Sequence, residues 1–558
     1  MTLSLYLCAA FSVLFSATCF IPAYGIGFWG FPLAILYSAL LLVQARFFLA
    51  HPDQRKLAFL RKTLEYLPFV LLTGFVIRRS GAADGSFALD LVSVLLWILA
   101  SLAAMALLHH LSDKRIMHHV PNLPAAVIVK KSFGVQAFEW IDALVQAACL
   151  VLLINIFIFQ LYAIPSESMV PEFMIGDRVV VVKTPSGPKF PLSDVGIPRM
   201  RSYKRGDIVV FNNPHYNDTK EARVRSFTSQ LVYMLTFTAV NINRDEYGAI
   251  KADPLVKRIT GVPGEKLMLV DGVLYSKRAG DAGFAPVTDD ASWAAWNIAA
   301  LPRSELALVK RIPLSLEGFS LLESVESKRA NVDVAIAAAE AEKLVARFAA
   351  LKPVPDSVRT APELFPRTRR EIVSMFQSND EITRILLTTN GGLAWFDAFM
   401  TDWAATPARA NLFDEQSLRL DLLLKLDFGR LVVRNAELMV GNSTSTQFAN
   451  DAERNGLLSE AENLSNYLSV HDQRNMGEFP AEPDAYIPEN CYFMMGDNRF
   501  NSLDMRHSYE VRLASVDPSD PYSFLYRSNL APRYVPVERI LGSASFRFWP
   551  LSRAGVPE

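Results

Sequence analysis

The fold class this sequence predicts is an N-terminal multi-span helical membrane anchor followed by a mainly β domain, with a long, partly helical insertion interrupting that domain. Three observations point there. Hydrophobic residues make up 51% of the 558-residue chain, and their excess is concentrated before residue 165. Beyond it, short runs of branched and aromatic residues bounded by Gly, Pro and Asp mark strands and turns. Between about 280 and 480 the composition shifts to Ala, Glu, Leu and Lys at helical spacing. At ~150 residues per domain the length allows about three or four domains. We divide it into a membrane domain (1–163), a β domain in two parts (164–279 and 481–558) and the insertion (280–480).

The membrane domain contains five apolar stretches, at roughly 3–20, 27–49, 64–77, 87–110 and 141–163. The first lacks a basic leading region and is followed almost at once by a second span, so it reads as a retained helix and not a cleaved leader. Lys and Arg near span ends stay on the cytoplasmic side. Arg46, Arg55, Lys56, Arg61 and Lys62 mark the loop after the second stretch, and Lys114, Arg115, Lys130 and Lys131 the loop before the fifth. Arg78 and Arg79, after the third stretch, run against the pattern. The expected topology is a multi-pass protein of the cytoplasmic (inner) membrane, with everything after residue 163 outside. Intramembrane polar residues are few, chiefly Asp90, Asp142 and Asn155, which argues against a solute pathway.

In the β domain, strands are expected at 177–183, 206–211, 491–497 and 540–550, and around Lys257. A hairpin is expected at 265–276, turning at Asp271-Gly272. Helices are expected within 321–351, 369–388 and 451–470, with Pro353, Pro355, Pro362 and Pro366 marking a linker. The apolar run 227–243 reads either as a buried strand pair or as a surface loop dipping into the lipid interface.

Composition excludes several functions. A net charge of -1 provides no field for a phosphate backbone, so nucleic acid is not an expected partner. Of four cysteines, three lie in apolar segments, leaving Cys491 alone and no basis for a disulfide framework or thiolate metal site. The histidines form no ligand pair, and His109, His110, His118 and His119 share a basic loop. No metal or other cofactor is expected.

The chemistry concentrates in "IPSESMVPEF" (164–173), where two serines follow an apolar segment. Such a hydroxyl needs a base, and no histidine is suitably placed. Lysine can serve when burial without a counter-ion favours its neutral form. Lys257, in "PLVKRITGVPGEKL" between Val256 and Ile259, is the candidate, and Arg258 points to the opposite strand face, outward.

With "KRGDIVVFNNP" (204–214) and "GDNRFNSLDMR" (496–506), these stretches resemble the ordered boxes of type I signal peptidases, the Ser/Lys endopeptidases that cleave exported preproteins. The resemblance covers about 165–276 and 486–553 and implies a signal-peptidase-like catalytic domain. It implies Ser168 as nucleophile, Lys257 as general base, and Ser166 with the backbone N–H of Ser168 as the oxyanion hole. Ser502 would orient the lysine, Asp497 would pair with Arg258, and Asp504 with Arg506. Gly496 would allow close packing, and Asn501 belongs to the same supporting box. Tyr162, Ile164, Met169, Phe173, Leu255 and Val256 would line pockets for small side chains at -1 and -3 of a signal peptide. The implied partners are secretory preproteins and the lipid bilayer. Glu167 stands where many relatives have glycine, Glu172-Phe173 where Thr-Leu is common, and Phe500 where Asp is frequent. The alternatives are a processing peptidase for a restricted substrate set and a non-catalytic receptor or scaffold. The insertion is expected to behave as an appended module.

Overall fold

The computed structural model describes every residue except 21–24, 82–85, 125–131, 217–218, 237–239, 241, 245–250, 352–369, 390 and 406–408. Lys130, Lys131 and the four prolines of the expected linker lie outside the described residues.

Five long helices open the chain: Thr2–Thr18, Gly30–Ala50, Gln54–Gly81, Phe87–His110 and Phe133–Phe157. Three segments, Gly25–Ala50, Phe87–His110 and Phe133–Phe157, are long and apolar enough to cross a membrane. The Gln54–Gly81 helix runs through Pro68 and crosses its neighbour closely. A Cβ on Gly30 would sit 2.5 Å from Gly74 O. The Phe133–Phe157 helix fully buries none of its residues in the protein, and only a part of its apolar surface, such as Leu153 and Phe157, packs on its neighbours. It begins earlier and ends earlier than the sequence suggested. Asp142 therefore lies well inside it, where Lys62 reaches it at 2.6 Å and Tyr66 Oη donates to it at 2.8 Å.

Residues 159–163, read from sequence as the end of the fifth span, instead form a strand. An edge strand with one apolar face and a short membrane segment share the same composition. The strands, in chain order, are β1 (Phe159–Ala163), β2 (Arg178–Val182), β3 (Ile208–Phe211), β4 (Leu255–Gly261), β5 (Glu265–Val270), β6 (Val273–Arg278) and β7 (Ala285–Pro286). After the helical segment come β8 (Met476–Phe479), β9 (Cys491–Met495), β10 (His507–Ser515), β11 (Leu525–Leu530), β12 (Val535–Pro536) and β13 (Ile540–Trp549). The main sheet has seven strands in the order β1-β2-β13-β3-β4-β9-β12, with antiparallel pairing throughout. A second sheet of four strands, β7-β6-β5-β8, shares an apolar core with it that includes Val209, Phe211, Ile259, Leu267, Phe493 and Met495. The β5–β6 hairpin turns at Asp271-Gly272, both at positive φ (51° and 81°). That backbone suits a two-residue hairpin loop.

Arg78 and Arg79, which run against the charge pattern expected from sequence, share one buried carboxylate. Arg78 and Arg79 both reach Asp90, at 2.5 and 3.2 Å. Ser193, from the loop after β2, donates to the same carboxylate at 2.6 Å. Phe190 of that loop packs against Phe75, Trp97 and Phe157. Thr184 Oγ1 and Lys183 Nζ cap the end of the Phe133–Phe157 helix through Phe157 O and Asn155 O.

In the described part of 227–243 the structure has no strand pair, and most of it is helical. Residues up to 235 belong to a helix, Lys220–Leu235. Its opening "KEARVRS" supplies helix formers that the apolar run alone did not reveal.

Among the described residues between β7 and β8, helices are the only extended regular structure. The expected 321–351 helix is two, Leu316–Ala330 and Val334–Leu351, separated at Asn331. Further helices are Ile372–Gln377, Asn379–Thr388, Gly392–Thr401 and Ala452–Arg474. The longest of them, Leu412–Val440, was not expected. It is buried on nearly all sides, among them at Leu420, Leu424, Phe428, Leu431 and Val432. Its pattern therefore shows no single amphipathic stripe.

This helical segment, expected to behave as an appended module, shares its core with the β domain. Its core also contains Val516, Phe524 and Tyr526 from the β10–β11 region. Asp472 accepts hydrogen bonds from Tyr526 Oη and Ser528 Oγ at 2.7 and 2.6 Å. Buried Lys425 pairs with Asp520. Removing residues 280–480 wholesale would expose an apolar core and strip buried partners from the β domain.

Candidate active site

The loop 164–177 connects β1 to β2 and is closed at its neck. Ile164 N donates to Asp177 O at 2.8 Å, and Gly176 N returns to Ile164 O at 2.9 Å. Inside it, Val170 N bonds Glu167 O and Phe173 N bonds Met169 O. These bonds tighten the turn that carries Ser168. Arg553 Nη2 adds a clasp on Pro171 O and Glu172 O, at 3.2 and 3.0 Å.

β4 lies within the main sheet, between β3 and β9, and brings Lys257 to this loop. Lys257 Nζ lies 2.5 Å from Ser168 Oγ. Both residues are buried, at 3% and 8% exposure. No carboxylate forms an ion pair with Lys257 among the described residues. Burial therefore pushes its amine down to about 8, against weaker opposing fields from Asp504 and Asp497. Ser166 Oγ lies 3.4 Å from Ser168 Oγ.

Arg258, expected to face outward, is as buried as its neighbour, at 2% exposure. Asp497 grips it bidentately at 2.9 and 2.7 Å. Its guanidinium also donates to Gly206 O and lies over the Trp293 ring. The outward face of β4 is thus roofed by the start of the helical segment. Asp504 and Arg506 pair through two bonds of 2.9 Å. Burial by itself would raise the Asp504 carboxyl, but Arg506 holds it well below the usual carboxylate range. Gly496 is a close-approach glycine, since a Cβ there would come within 2.4 Å of Ser168 O and 2.2 Å of Ser502 Oγ. Its N–H donates to Asp504 Oδ2 at 2.9 Å.

Ser502 lies in this layer, but its buried Oγ takes no hydrogen-bond partner among the described residues. The expected bond from Ser502 to Lys257 is not formed in the structure. Asn501 Nδ2 donates instead to Glu167 Oε2 at 3.3 Å. Of the six expected pocket residues, Ile164, Met169 and Phe173 cluster with Val179, Val181, Ile208 and Val210, and Tyr162 and Val256 pack against them. Leu255 does not join them. It packs on the core between the two sheets, because adjacent strand residues face opposite sides. Tyr162 Oη is buried without a hydrogen-bond partner among the described residues.

Sequence reasoning missed Asn498, although it stands within the quoted box. Its side chain donates to Glu167 O at 3.0 Å and its N–H to Ser168 O at 3.2 Å. Those main-chain bonds leave no signature in residue type. It also missed Arg499, buried against Asp290 at 2.6 Å. His507 is buried and pushed down to about 4, so it is neutral at physiological pH. No cluster of three or more metal-ligating side chains occurs among the described residues.

Two parts of the chain are similar to known proteins. The family described as signal peptidase, peptidase S26, matches residues 137–282 and 430–549. Signal peptidase I of Buchnera aphidicola subsp. Baizongia pistaciae is 30% identical over 180 residues, 32% of this chain and 44% of that protein. Signal peptidase I T of Bacillus subtilis is 30% identical over 137 residues, 25% of this chain and 47% of that protein. Signal peptidase I of Bacillus licheniformis is 27% identical over 142 residues, 25% and 49% respectively. The chain spans less than half the length of each of these relatives. Both matched segments contribute to the loop-and-strand site, the first supplying Ser168 and Lys257 and the second Gly496 to Arg506, and over them the chain is similar to the type I signal peptidases of the S26 peptidase family.

Proposed function

We propose that this chain is a membrane-bound serine endopeptidase that removes signal peptides from exported preproteins. The observation that carries the reading is the 2.5 Å contact between Ser168 Oγ and a buried lysine with no paired carboxylate. Neutral Lys257 takes the Ser168 proton as Oγ attacks the scissile carbonyl carbon, and the resulting ammonium protonates the departing amine. Ser166 Oγ and the Ser168 N–H stabilise the oxyanion. Water then hydrolyses the acyl-enzyme, with Lys257 again acting as base. Gly496, Asp497, Asn501, Ser502, Asp504, Arg506 and Arg258 support this layer without touching the reacting atoms.

An extended substrate segment would lie along the free edge of β1, which ends at the catalytic loop. Backbone pairing supplies affinity there. Tyr162, Ile164, Met169, Phe173 and Val256 then form a shallow apolar wall that selects small residues at -1 and -3. On this reading the site lies beside the bilayer on its outer side, where the substrate's own apolar segment is still embedded. Residues 283–429 lie between the two matched segments and on this reading are the insertion relative to the matched family. The test is incubation of the purified full chain, in detergent, with a preprotein bearing Ala-X-Ala, followed by sequencing of the new N-terminus. Cleavage after the second Ala, lost when -1 is made bulky and lost in Ser168→Ala, is expected. Unaltered cleavage by Ser168→Ala overturns the reading.

A further inference from the structure

We propose that Glu167 is a positioning residue through which residues 290–312 of the helical segment become part of the catalytic framework. The inference rests on reading Ser168 as the nucleophile. Glu167 stands between the two serines and is 6% exposed. A carboxylate buried there needs donors, and three reach it. Lys310 N and Arg311 N donate to Oε1, the second at 3.3 Å, and Asn501 Nδ2 donates to Oε2. Two of the three are main-chain groups about 140 residues away in sequence.

The surrounding contacts run the same way. Val170 and Met174, just past Ser168, are packed with Ile298, and with Leu301 and Val309 alongside. Ala295 N donates to Asp497 O at 2.8 Å, and Arg499 N donates to Ala295 O at 3.1 Å. Asp290 holds Arg499, and Trp293 covers Arg258. Residues 290–312 therefore touch the serine loop, the partner of Arg258 and the supporting box together. Glu167 is the one charged bond from this wall directly into the turn bearing Ser168. Its neighbours fix the main chain at Glu167 O and Ser168 O through Asn498, and its side chain fixes the opposite side. Without the carboxylate, the turn loses its tie to residues 310–311, and a shift of ~1 Å at a reacting atom can cost about 100-fold in rate.

The experiment uses the full chain in detergent with a cleavable preprotein. Glu167→Ala should lower kcat by roughly 10- to 100-fold and leave KM within about threefold, because the substrate wall is untouched. Glu167→Gln should recover kcat to within about fivefold of wild type, since an amide oxygen still accepts from both N–H groups and Asn501 can turn its own oxygen toward the amide. The pH midpoint of cleavage should be the same in all three proteins, because Glu167 positions Ser168 without acting as an acid or base. Hydrogen exchange at the amides of Lys310 and Arg311 should accelerate in Glu167→Ala and stay slow in Glu167→Gln. If Glu167→Ala fails to fold, Glu167→Asp, whose carboxylate is one methylene short of both amides, should reproduce the kcat loss and faster exchange. Wild-type kcat in the folded Ala or Asp variant overturns the inference, as does an equal loss in Ala and Gln accompanied by a moved pH midpoint. Cleavage by Ser168→Ala would instead overturn the reading beneath it, and the exchange result distinguishes the two failures.

Discussion

Lys257 and Arg258 are adjacent cations on one strand, buried to 3% and 2% exposure, yet their surroundings differ completely. Arg258 meets a bidentate carboxylate, the main-chain oxygens of Gly206 and Glu558, and an indole face. Lys257 meets a hydroxyl. Burial with a counter-ion preserves a charge and turns it into a structural clasp, whereas burial without one makes the neutral form accessible. The same strand thus supplies a fixed joint and a working base.

The largest expected effect tests the hydroxyl side of this contrast. Ser168→Ala and Lys257→Met should each reduce preprotein cleavage by about 10⁴-fold or more, as loss of a nucleophile or its base does elsewhere. Lys257→Arg should be equally inactive, because a guanidinium is not a base in proteins. Near-wild-type turnover by any of the three would break the comparison.

The joint side predicts a stability effect. Asp497→Asn leaves Arg258 buried and without its counter-ion, at a cost of about 3–5 kcal/mol, read as a lower denaturation midpoint of the purified chain. A neutral result would mean that Arg258 is held by its carbonyl and aromatic contacts alone. Ser166→Ala should fall in a similar range but on kcat, losing about 2.7–4 kcal/mol of transition-state stabilisation. A loss confined to KM would remove Ser166 from the oxyanion hole.

Much of this contrast is legible in residue types, and part of it is not. The alternation along "LVKRI" separates Lys257 from Arg258, and Asp271-Gly272 declares its hairpin. Asp497 was legible as the partner of Arg258, but Arg258 nevertheless appeared outward, because its cover comes from Trp293, which has no signal near it in sequence. The strand Phe159–Ala163 hid inside an apolar run, and the Leu412–Val440 helix hid because burial on all sides erases periodicity. Glu167 looked like a simple departure from glycine, since its main-chain partners at Lys310 and Arg311 have no residue-type signal. The bond expected from Ser502 to Lys257 is absent from the structure.

Smaller effects sharpen the account. Lys257→Met should not merely spare stability but raise it. The folded-state amine is lowered from 10.5 to about 8, so the unfolded chain binds more protons between those values and wild-type stability climbs with pH across that window. Below pH ~8 the buried ammonium costs on the order of 3 kcal/mol. The stabilisation by Met should be greatest there and fade as pH rises to 10.5. Calorimetry of both proteins at two pH values checks it, and a pH-independent difference would contradict it. Ser502→Ala should have the smallest effect, under about tenfold in kcat, because its hydroxyl makes no bond here that the change would break.

The central claim is that a neutral Lys257 activates Ser168, and the pH dependence of kcat/KM tests it most directly. The account predicts a single rise with a midpoint near 8, so that activity at pH 6 is about one hundredth of the plateau. His507, pushed down to about 4, cannot produce that rise. Lys183, also lowered to about 8 by burial, bonds Asn155 and Gln160 away from Ser168. The rise should therefore persist in Lys183→Met. A midpoint near 6.5 or near 10.4, or a rise that disappears in Lys183→Met, would contradict the mechanism.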